Sequence, residues 1–129
     1  MTVIDVVGAA IRKDDRFLVA QRSATMSEPL CWEFPGGKVE EGETDEVALA
    51  REIREELDVM IEVKSLVGVG SVVRRDRTIV LRVYEAALIE GAPVAREHAQ
   101  LRWFSRDEFG ALDWAEADVP IVERLRRER

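Results

Sequence analysis

Residues 37–59 read GKVEEGETDEVALAREIREELDV, and this run predicts one helix with a strongly acidic side. Glu52, Glu55 and Glu56 stand at i, i+3 and i+4, so at about 100° per residue they share one sector of the helix. Neighbouring carboxylates repel each other at neutral pH, and a hard divalent cation relieves that repulsion because carboxylate oxygens are the ligands that Mg²⁺ prefers. The spacing therefore indicates a metal site for Mg²⁺, with Mn²⁺ as a possible substitute. The alternative is a solvated acidic surface, which is what most charge runs are.

The other side of this helix is apolar and is expected to pack inward. Thr44 is expected to cap its first turn, and the helix is expected to end near Leu57. The residues expected to face the core are Leu49, Ala50, Ile53 and Leu57.

Just upstream, residues 34–38 read FPGGK and predict a turn. Two consecutive glycines leave the backbone free to approach a ligand closely. Together with the acidic helix, this turn predicts a combined metal and phosphate site.

The register of the whole run is more specific than its charge. A Glu follows Gly37 six positions later, and Arg51-Glu52, an apolar Ile53 and Glu55-Glu56 come next. With this composition, such a pattern arises by chance on the order of once per million start positions. The run resembles the signature of the Nudix hydrolases, and the segments around it resemble the MutT-like and CTP pyrophosphohydrolase-like branch of that family.

One position departs from the family signature, because Asp58 stands where the family has Gly. That Gly would lie just past the helix end, where a left-handed backbone is common. Asp tolerates this conformation better than most residues, at a cost of about 1 kcal/mol. The departure therefore concerns the exit geometry of the helix and leaves the three glutamates unchanged.

The resemblance implies an α/β fold, a Nudix-type α/β/α sandwich with a central mixed sheet, formed by residues 1–129 as a single domain. It also implies that Glu52 activates water and that Arg51 orients the carboxylates, supported by Glu43. The metal ligands implied by the resemblance are Gly36 through its carbonyl, Glu52, Glu55, Glu56 and Glu97, the last as a further ligand or an alternative base.

Four residues are candidates for binding the substrate. Lys38 and Arg22 are cations that can offset phosphate charge. Phe34 offers a ring on which a nucleobase can stack. Asp118 aligns with a base-reading position of the family, although an Asp before Val-Pro is also a good helix N-cap. His98, next to Glu97, is expected to have no catalytic role.

The implied activity is a Mg²⁺-dependent nucleoside triphosphate pyrophosphohydrolase that releases a monophosphate and pyrophosphate and prefers (d)CTP or a modified pyrimidine nucleotide. An acidic residue at position 118 suits the exocyclic amine of cytosine. The alternatives are an 8-oxo-dGTP pyrophosphatase that cleans the nucleotide pool, a nucleoside-diphosphate-sugar hydrolase, and an inactive nucleotide sensor.

Composition limits the partners of the chain. Its net charge is −7, which argues against a nucleic-acid polymer because such binding requires many cationic contacts with phosphates. No apolar run is long enough to cross a membrane, so we expect a cytoplasmic protein whose partner is a small nucleotide. The single Cys31 excludes an internal disulfide. Both a monomer and a homodimer remain open.

The rest of the chain predicts strands on both sides of the acidic helix and a second helix at the end. Arg124, Arg126, Arg127 and Arg129 are expected to complement the carboxyl end of that last helix. Predicted strands cover residues 3–11, 17–20, 61–73, 79–89 and 101–104, and Gly68 and Gly70 indicate a bulge or bend within the strand over residues 61–73. A capping box is predicted at Ser105 and Glu108, and a last helix over residues 118–127.

Overall fold

The computed structural model describes residues 2–128, so Arg129 of the basic tail lies outside the described residues. Strands and helices follow one another much as the sequence predicts. In chain order they are β1 (Thr2–Lys13), β2 (Arg16–Gln21), β3 (Trp32–Glu33), β4 (Gly36–Lys38), α1 (Asp45–Leu57), β5 (Met60–Arg74), β6 (Arg77–Glu90), β7 (Gln100–Ser105), two 3₁₀ segments (Arg106–Ala111 and Glu116–Asp118) and α2 (Val119–Arg127).

The strands form one seven-stranded sheet whose main path runs β3-β2-β1-β6-β5, with β4 paired to β1 and β7 to β2. Strands β1 and β6 are parallel, with Thr2 opposite Arg77 and Arg12 opposite Ala87. The other pairs of strands are antiparallel. The predicted central mixed sheet is therefore confirmed.

The two helices pack on opposite faces of this sheet. Successive residues of a strand point to opposite faces, so β1 sends Val7, Ala9 and Ile11 into the cluster that holds the apolar side of α1. From the same strand, Ala10 joins the cluster that holds α2. The result is the predicted α/β/α sandwich, with a buried core on each side of the sheet.

Strand β5 changes the face that it presents to the core along its length. Ile61 packs with α1, whereas Val67 packs with α2. The pairing with β6 shifts register between Val63 and Leu66 and again between Leu66 and Gly68, which accounts for the change of face. The predicted irregularity near Gly68 is thus confirmed.

Both ends of α1 match their sequence signals. The Thr44 side chain accepts a hydrogen bond from the Val47 N–H at 3.2 Å. At the other end Asp58 adopts the left-handed conformation, with φ 59° and ψ 37°. The family's Gly position is therefore left-handed in this chain as well, and Asp occupies it.

Two local predictions were wrong. Ala50 is exposed, and Ala48 takes its place in the buried side of α1. Residues 34–38 do not form a turn, because Gly36–Lys38 is the short strand β4 paired with β1. Among the described helices, none is both long and apolar enough to span a membrane.

Candidate active site

The glycines of β4 allow two close approaches that build the site. A Cβ added at Gly37 would lie 1.8 Å from Oε2 of Glu52, so the carboxylate rests directly on the strand backbone. A Cβ added at Gly36 would lie 1.9 Å from the backbone oxygen of Val7. Neither contact leaves room for a side chain, so both glycines are needed for packing as well as for access to a ligand.

Arg51 ties the acidic side of α1 to the segment before it. Its Nε donates to Glu43 at 2.7 Å, and its Nη2 donates to the other Glu43 oxygen at 2.9 Å. Its Nη1 donates to Glu52 at 2.7 Å and to Glu55 at 3.3 Å, and its Nη2 also donates to the Lys38 carbonyl at 3.1 Å. The hydrogen bonds from Arg51 hold the pKa of Glu43 down at about 2. Arg51 therefore contacts both Glu52 and Glu55, as the resemblance implied.

Glu56 lies within the buried side of α1. At about 100° per residue, it falls within the arc bounded by Ala48 and Leu57. Its Oε2 is buried and has no hydrogen-bond partner within residues 2–128. Burial, followed by the charges of Glu52, Glu97 and Glu33, raises the pKa of Glu56 to about 8.

These carboxylates fit a hard divalent cation chemically. A buried oxygen without a partner, surrounded by repelling carboxylates, is stabilised when a cation binds. Among residues 2–128, no three acidic, His or Cys side chains already surround a common centre. Arg51 holds one oxygen of Glu52 and one of Glu55 in this arrangement.

A cleft of about 330 Å³ opens beside Glu56. Its walls come from β1, β3, β4, α1, the end of β5, β6, the loop between β2 and β3, and the loops that precede β7 and α2. The predicted site residues that line this cleft are Arg22, Phe34, Gly36, Lys38, Glu56, Glu97 and Asp118. The other three, Arg51, Glu52 and Glu55, lie behind this wall in the Arg51 network, where Glu52 is mostly buried and Glu55 is 60% exposed.

Asp118 lines the same cleft as the exposed Lys38 and is itself only 3% exposed. One carboxyl oxygen accepts a hydrogen bond from the Phe34 N–H at 2.9 Å. Asp118 is the N-cap residue of α2, as predicted, but its side chain makes no capping hydrogen bond to that helix. Burial raises the pKa of Asp118 well above its usual range, and the Phe34 hydrogen bond opposes that rise.

The rings near Asp118 belong mainly to the core. Phe34 is 3% exposed, and its ring lies 5.2 Å from the Trp114 ring and 6.3 Å from the Phe109 ring, measured between centroids. Phe34 thus contributes little surface to the cleft, and its stacking on a base remains a prediction.

Arg22 is held in place by neighbours within the chain. Its Nη1 donates to Glu33 at 2.6 Å, and its Nε and Nη2 donate to Ser27 at 2.6 and 2.9 Å. The other oxygen of Glu33 lies 2.8 Å from Nε2 of the buried His98. Binding of a phosphate by Arg22 stays a prediction. It would require the guanidinium to hydrogen-bond Glu33 and the phosphate at the same time.

Sequence reasoning missed Glu33 as a member of the site. It lines the cleft and its charge acts on both Glu56 and Asp118. The available signal was its position, since a single Glu stands between Trp32 and Phe34 in an aromatic strand. A charged residue at such a position requires a partner, and here the partners are Arg22 and His98.

Comparison with known proteins bears on this arrangement. The family model described as NUDIX domain matches residues 2–125. The chain is 38% identical over 123 residues to a CTP pyrophosphohydrolase of Escherichia coli, covering 95% of this chain and 91% of that protein. It is 44% identical over 125 residues to a putative 8-oxo-dGTP diphosphatase 2 of Mycobacterium tuberculosis, covering 95% and 87%. The solution structure of the E. coli ORF135 protein matches with a TM-score of 0.85 at 37% identity, covering 96% of this chain and 89% of that one.

Proposed function

This chain belongs to the Nudix hydrolases, which act on phosphoric anhydride bonds and generally use divalent metal ions, and on that premise we propose a Mg²⁺-dependent nucleoside triphosphate pyrophosphohydrolase. The products are a nucleoside monophosphate and pyrophosphate. The proposal rests on family membership for the reaction class and on the cleft for the substrate.

The observation that carries the proposal is the unpaired carboxylate of Glu56 beside the cleft. Its Oε2 is buried without a hydrogen-bond partner in the described part of the chain, and the charges of Glu52 and Glu97 act on it. A cation is the partner that removes this repulsion, and a triphosphate in the cleft supplies further oxygens to the same cation.

The residues that would hold the cation are Gly36 through its carbonyl, Glu52, Glu55, Glu56 and Glu97. When bound, a divalent ion neutralises phosphate charge and lowers the pKa of water. Mn²⁺ offers the same preference for oxygen ligands and is the expected substitute.

Glu52 is the proposed base that takes the proton from the attacking water. Arg51 holds one of its oxygens at 2.7 Å, while the other rests on the backbone of Gly37. This restraint leaves the carboxylate little rotational freedom, which favours proton transfer in a fixed direction. Lys38, exposed at the rim of the cleft, and Arg22 would offset charge on the phosphates.

We infer that the base of the substrate binds at the Asp118 end of the cleft. The second carboxyl oxygen of Asp118 makes no hydrogen bond within residues 2–128 and remains for a ligand. The amine of cytosine suits a carboxyl acceptor, and one relative is named a CTP pyrophosphohydrolase. These two points support (d)CTP or a modified pyrimidine nucleotide as the preferred substrate.

The second candidate substrate is 8-oxo-dGTP. It is favoured by the relative of higher identity, which is named a putative 8-oxo-dGTP diphosphatase. The raised pKa of Asp118 also keeps this candidate open, because a neutral carboxyl can donate to a carbonyl as well as accept from an amine.

The test is a nucleotide panel of dCTP, 5-methyl-dCTP, dTTP, dGTP, 8-oxo-dGTP and ADP-ribose, with Mg²⁺ or Mn²⁺ and with chelator. We expect pyrophosphate release from a triphosphate, no release with chelator, and the highest kcat/KM for a cytosine nucleotide. In ¹⁸O-water, orthophosphate as the main product would overturn the proposed cleavage. Turnover confined to ADP-ribose would overturn the substrate class.

A further inference from the structure

The loop of residues 91–99 carries Glu97 into the cleft, although it contains no strand or helix. Its backbone is attached at two points, by Val94 N–H to the Leu57 carbonyl at 3.0 Å and by Ala99 N–H to the Gln21 carbonyl at 2.9 Å. Between those points the position of Glu97 depends on the side chains of its neighbours.

Arg96 is the neighbour that reaches the carboxyl end of α1. Its Nη1 donates to the Glu55 carbonyl at 3.1 Å, and its Nη2 lies 3.4 Å from Oδ2 of Asp58. The last carbonyls of a helix lack partners within the helix, so an Arg that donates to one of them and pairs with the next residue outside the helix joins a loop firmly to that end.

Asp58 is the residue that departs from the family signature, and its contact with Arg96 gives this difference a structural role. A Gly would adopt the left-handed conformation of Asp58 without strain, but it would offer Arg96 no carboxylate. The chain thus carries a strained residue at a position where the strain provides a partner for the loop.

Glu97 lies between the attachment made by Arg96 and a second one made by His98. On its other side, His98 is buried and its Nε2 lies 2.8 Å from Glu33. Glu97 and Glu56 line the same cleft. Arg96 and His98 therefore hold the loop on both sides of the carboxylate that faces the acidic cluster.

We propose that Arg96 and Asp58 are positioning residues that hold Glu97 at the cleft that Glu56 also lines, where the divalent cation would bind. This inference rests on the proposed function, because it assigns Glu97 to the cation. Neither residue is among those that line the cleft. Their effect passes through the loop to Glu97.

The expected effect is on the site rather than on global stability. The Arg96–Asp58 pair is 49% and 52% exposed, and exposed ion pairs contribute little to stability. Residues that orient metal ligands, by contrast, typically change metal affinity or activity by about 10–100-fold when they are removed.

The first experiment measures the dissociation constant of Mn²⁺ alone for wild type, Arg96→Ala and Asp58→Gly. We expect each variant to bind Mn²⁺ about tenfold more weakly. The matched control is Arg124→Ala, because the Arg124–Glu128 pair on α2 has a similar distance of 3.5 Å and similar exposure, 58% and 49%. Variants that bind Mn²⁺ like the control would overturn the positioning role.

Melting temperatures separate positioning from a general loss of structure. Asp58→Gly removes the left-handed strain, so its melting temperature should rise by about 3 °C while its Mn²⁺ affinity falls. A purely structural role for Asp58 would lower both together and would overturn the proposal.

A double-mutant comparison tests whether Arg96 acts through Glu97. Glu97→Gln should weaken Mn²⁺ binding, and adding Arg96→Ala to it should cause little further loss. Fully additive losses would overturn the route through Glu97. Wild type that binds no Mn²⁺ and hydrolyses no nucleotide would overturn both proposals, whereas a functional wild type with unchanged variants would overturn only this one.

Discussion

Two arginine-centred networks tie α1 to other parts of the chain, and they differ in the number of carboxylates that each arginine serves. At the amino end, Arg82 forms two hydrogen bonds with Asp45, at 2.6 and 2.9 Å, and one with Asp5 at 2.9 Å. Tyr84 donates to the same Asp45 at 2.6 Å. Further along the helix, Arg51 donates to Glu43, Glu52 and Glu55, and to the Lys38 carbonyl.

The pKa values reflect this difference. The hydrogen bond from Arg82 lowers the pKa of Asp45, and burial with the hydrogen bond to Asp45 raises that of Tyr84 to about 12. In the Arg51 network the pKa of Glu43 falls to about 2, whereas the pKa of Glu56, outside that network, rises to about 8. Arg82 serves two carboxylates and Arg51 serves three, so the acidic side of α1 has the larger surplus of negative charge. The smaller surplus suits a structural role, and the larger one suits binding of a cation.

The largest expected effect separates the two networks by activity. Glu52→Gln should reduce kcat at saturating Mg²⁺ by at least about a hundredfold, the scale of removing one positioned electrostatic group. Asp45→Asn, the corresponding change in the Arg82 network, should leave kcat of the folded protein nearly unchanged. Steady-state pyrophosphate release measures both. Equal losses in the two variants would remove the distinction between the networks.

The Arg82 network is expected to affect the stability of the protein rather than its activity. Arg82→Met leaves the partly buried Asp45 without its cation, so we expect a loss of about 1–3 kcal/mol in the free energy of unfolding. Urea denaturation measures this loss, with Arg124→Met as the control at an exposed pair. A loss of activity without a loss of stability would contradict the structural assignment.

The effect of Glu56→Gln on the melting temperature should depend on pH, because of the surplus negative charge around Glu56. The folded pKa of Glu56 is about 8, above its ordinary value of 4.5. The contribution of the protonated group to stability is therefore fully present below about pH 4.5 and is lost as the pH rises through about 8. In chelator, the melting temperature of Glu56→Gln should exceed that of wild type by about 3 °C at pH 8.5 and match it near pH 4.5.

The comparison for this variant is Glu62→Gln, the same change at an exposed residue on β5. Added Mn²⁺ should stabilise wild type at pH 8.5 more than Glu56→Gln. If the melting temperatures of wild type and Glu56→Gln differ by the same amount from pH 4.5 to 8.5, Glu56 does not carry the surplus charge.

The smallest effect is expected at Asp118, a buried acid outside both networks. While its carboxyl is neutral it donates and accepts as an amide does, so Asp118→Asn should change the ratio of kcat/KM for dCTP over 8-oxo-dGTP by less than about threefold. Asp118→Ala removes both functions and should move the ratio by roughly 1–3 kcal/mol. A ratio that moves as far in Asp118→Asn would indicate an ionised, charge-reading Asp118, and no change in Asp118→Ala would leave the base without this contact.

Local signals in the sequence predicted the features that depend on neighbouring residues. The cap at Thr44, the end of α1 near Leu57 and the irregularity at Gly68 each follow from propensity, spacing or backbone freedom within a few positions. The predictions that failed locally involved long-range packing. Gly36 pairs with β1 rather than turning, because Gly8 lies opposite it across the sheet.

The sequence by itself determined the helix, its acidic register and the family to which the chain belongs, because these are properties of consecutive residues. Only the tertiary structure decided which carboxylates lack a partner. Oε2 of Glu56 is buried without a partner among the described residues. The Asp118 side chain accepts a hydrogen bond from Phe34 instead of capping α2. Arg96 joins a distant loop to Asp58. Burial and charge pairing depend on groups brought together from far along the chain, and a linear pattern does not contain that information.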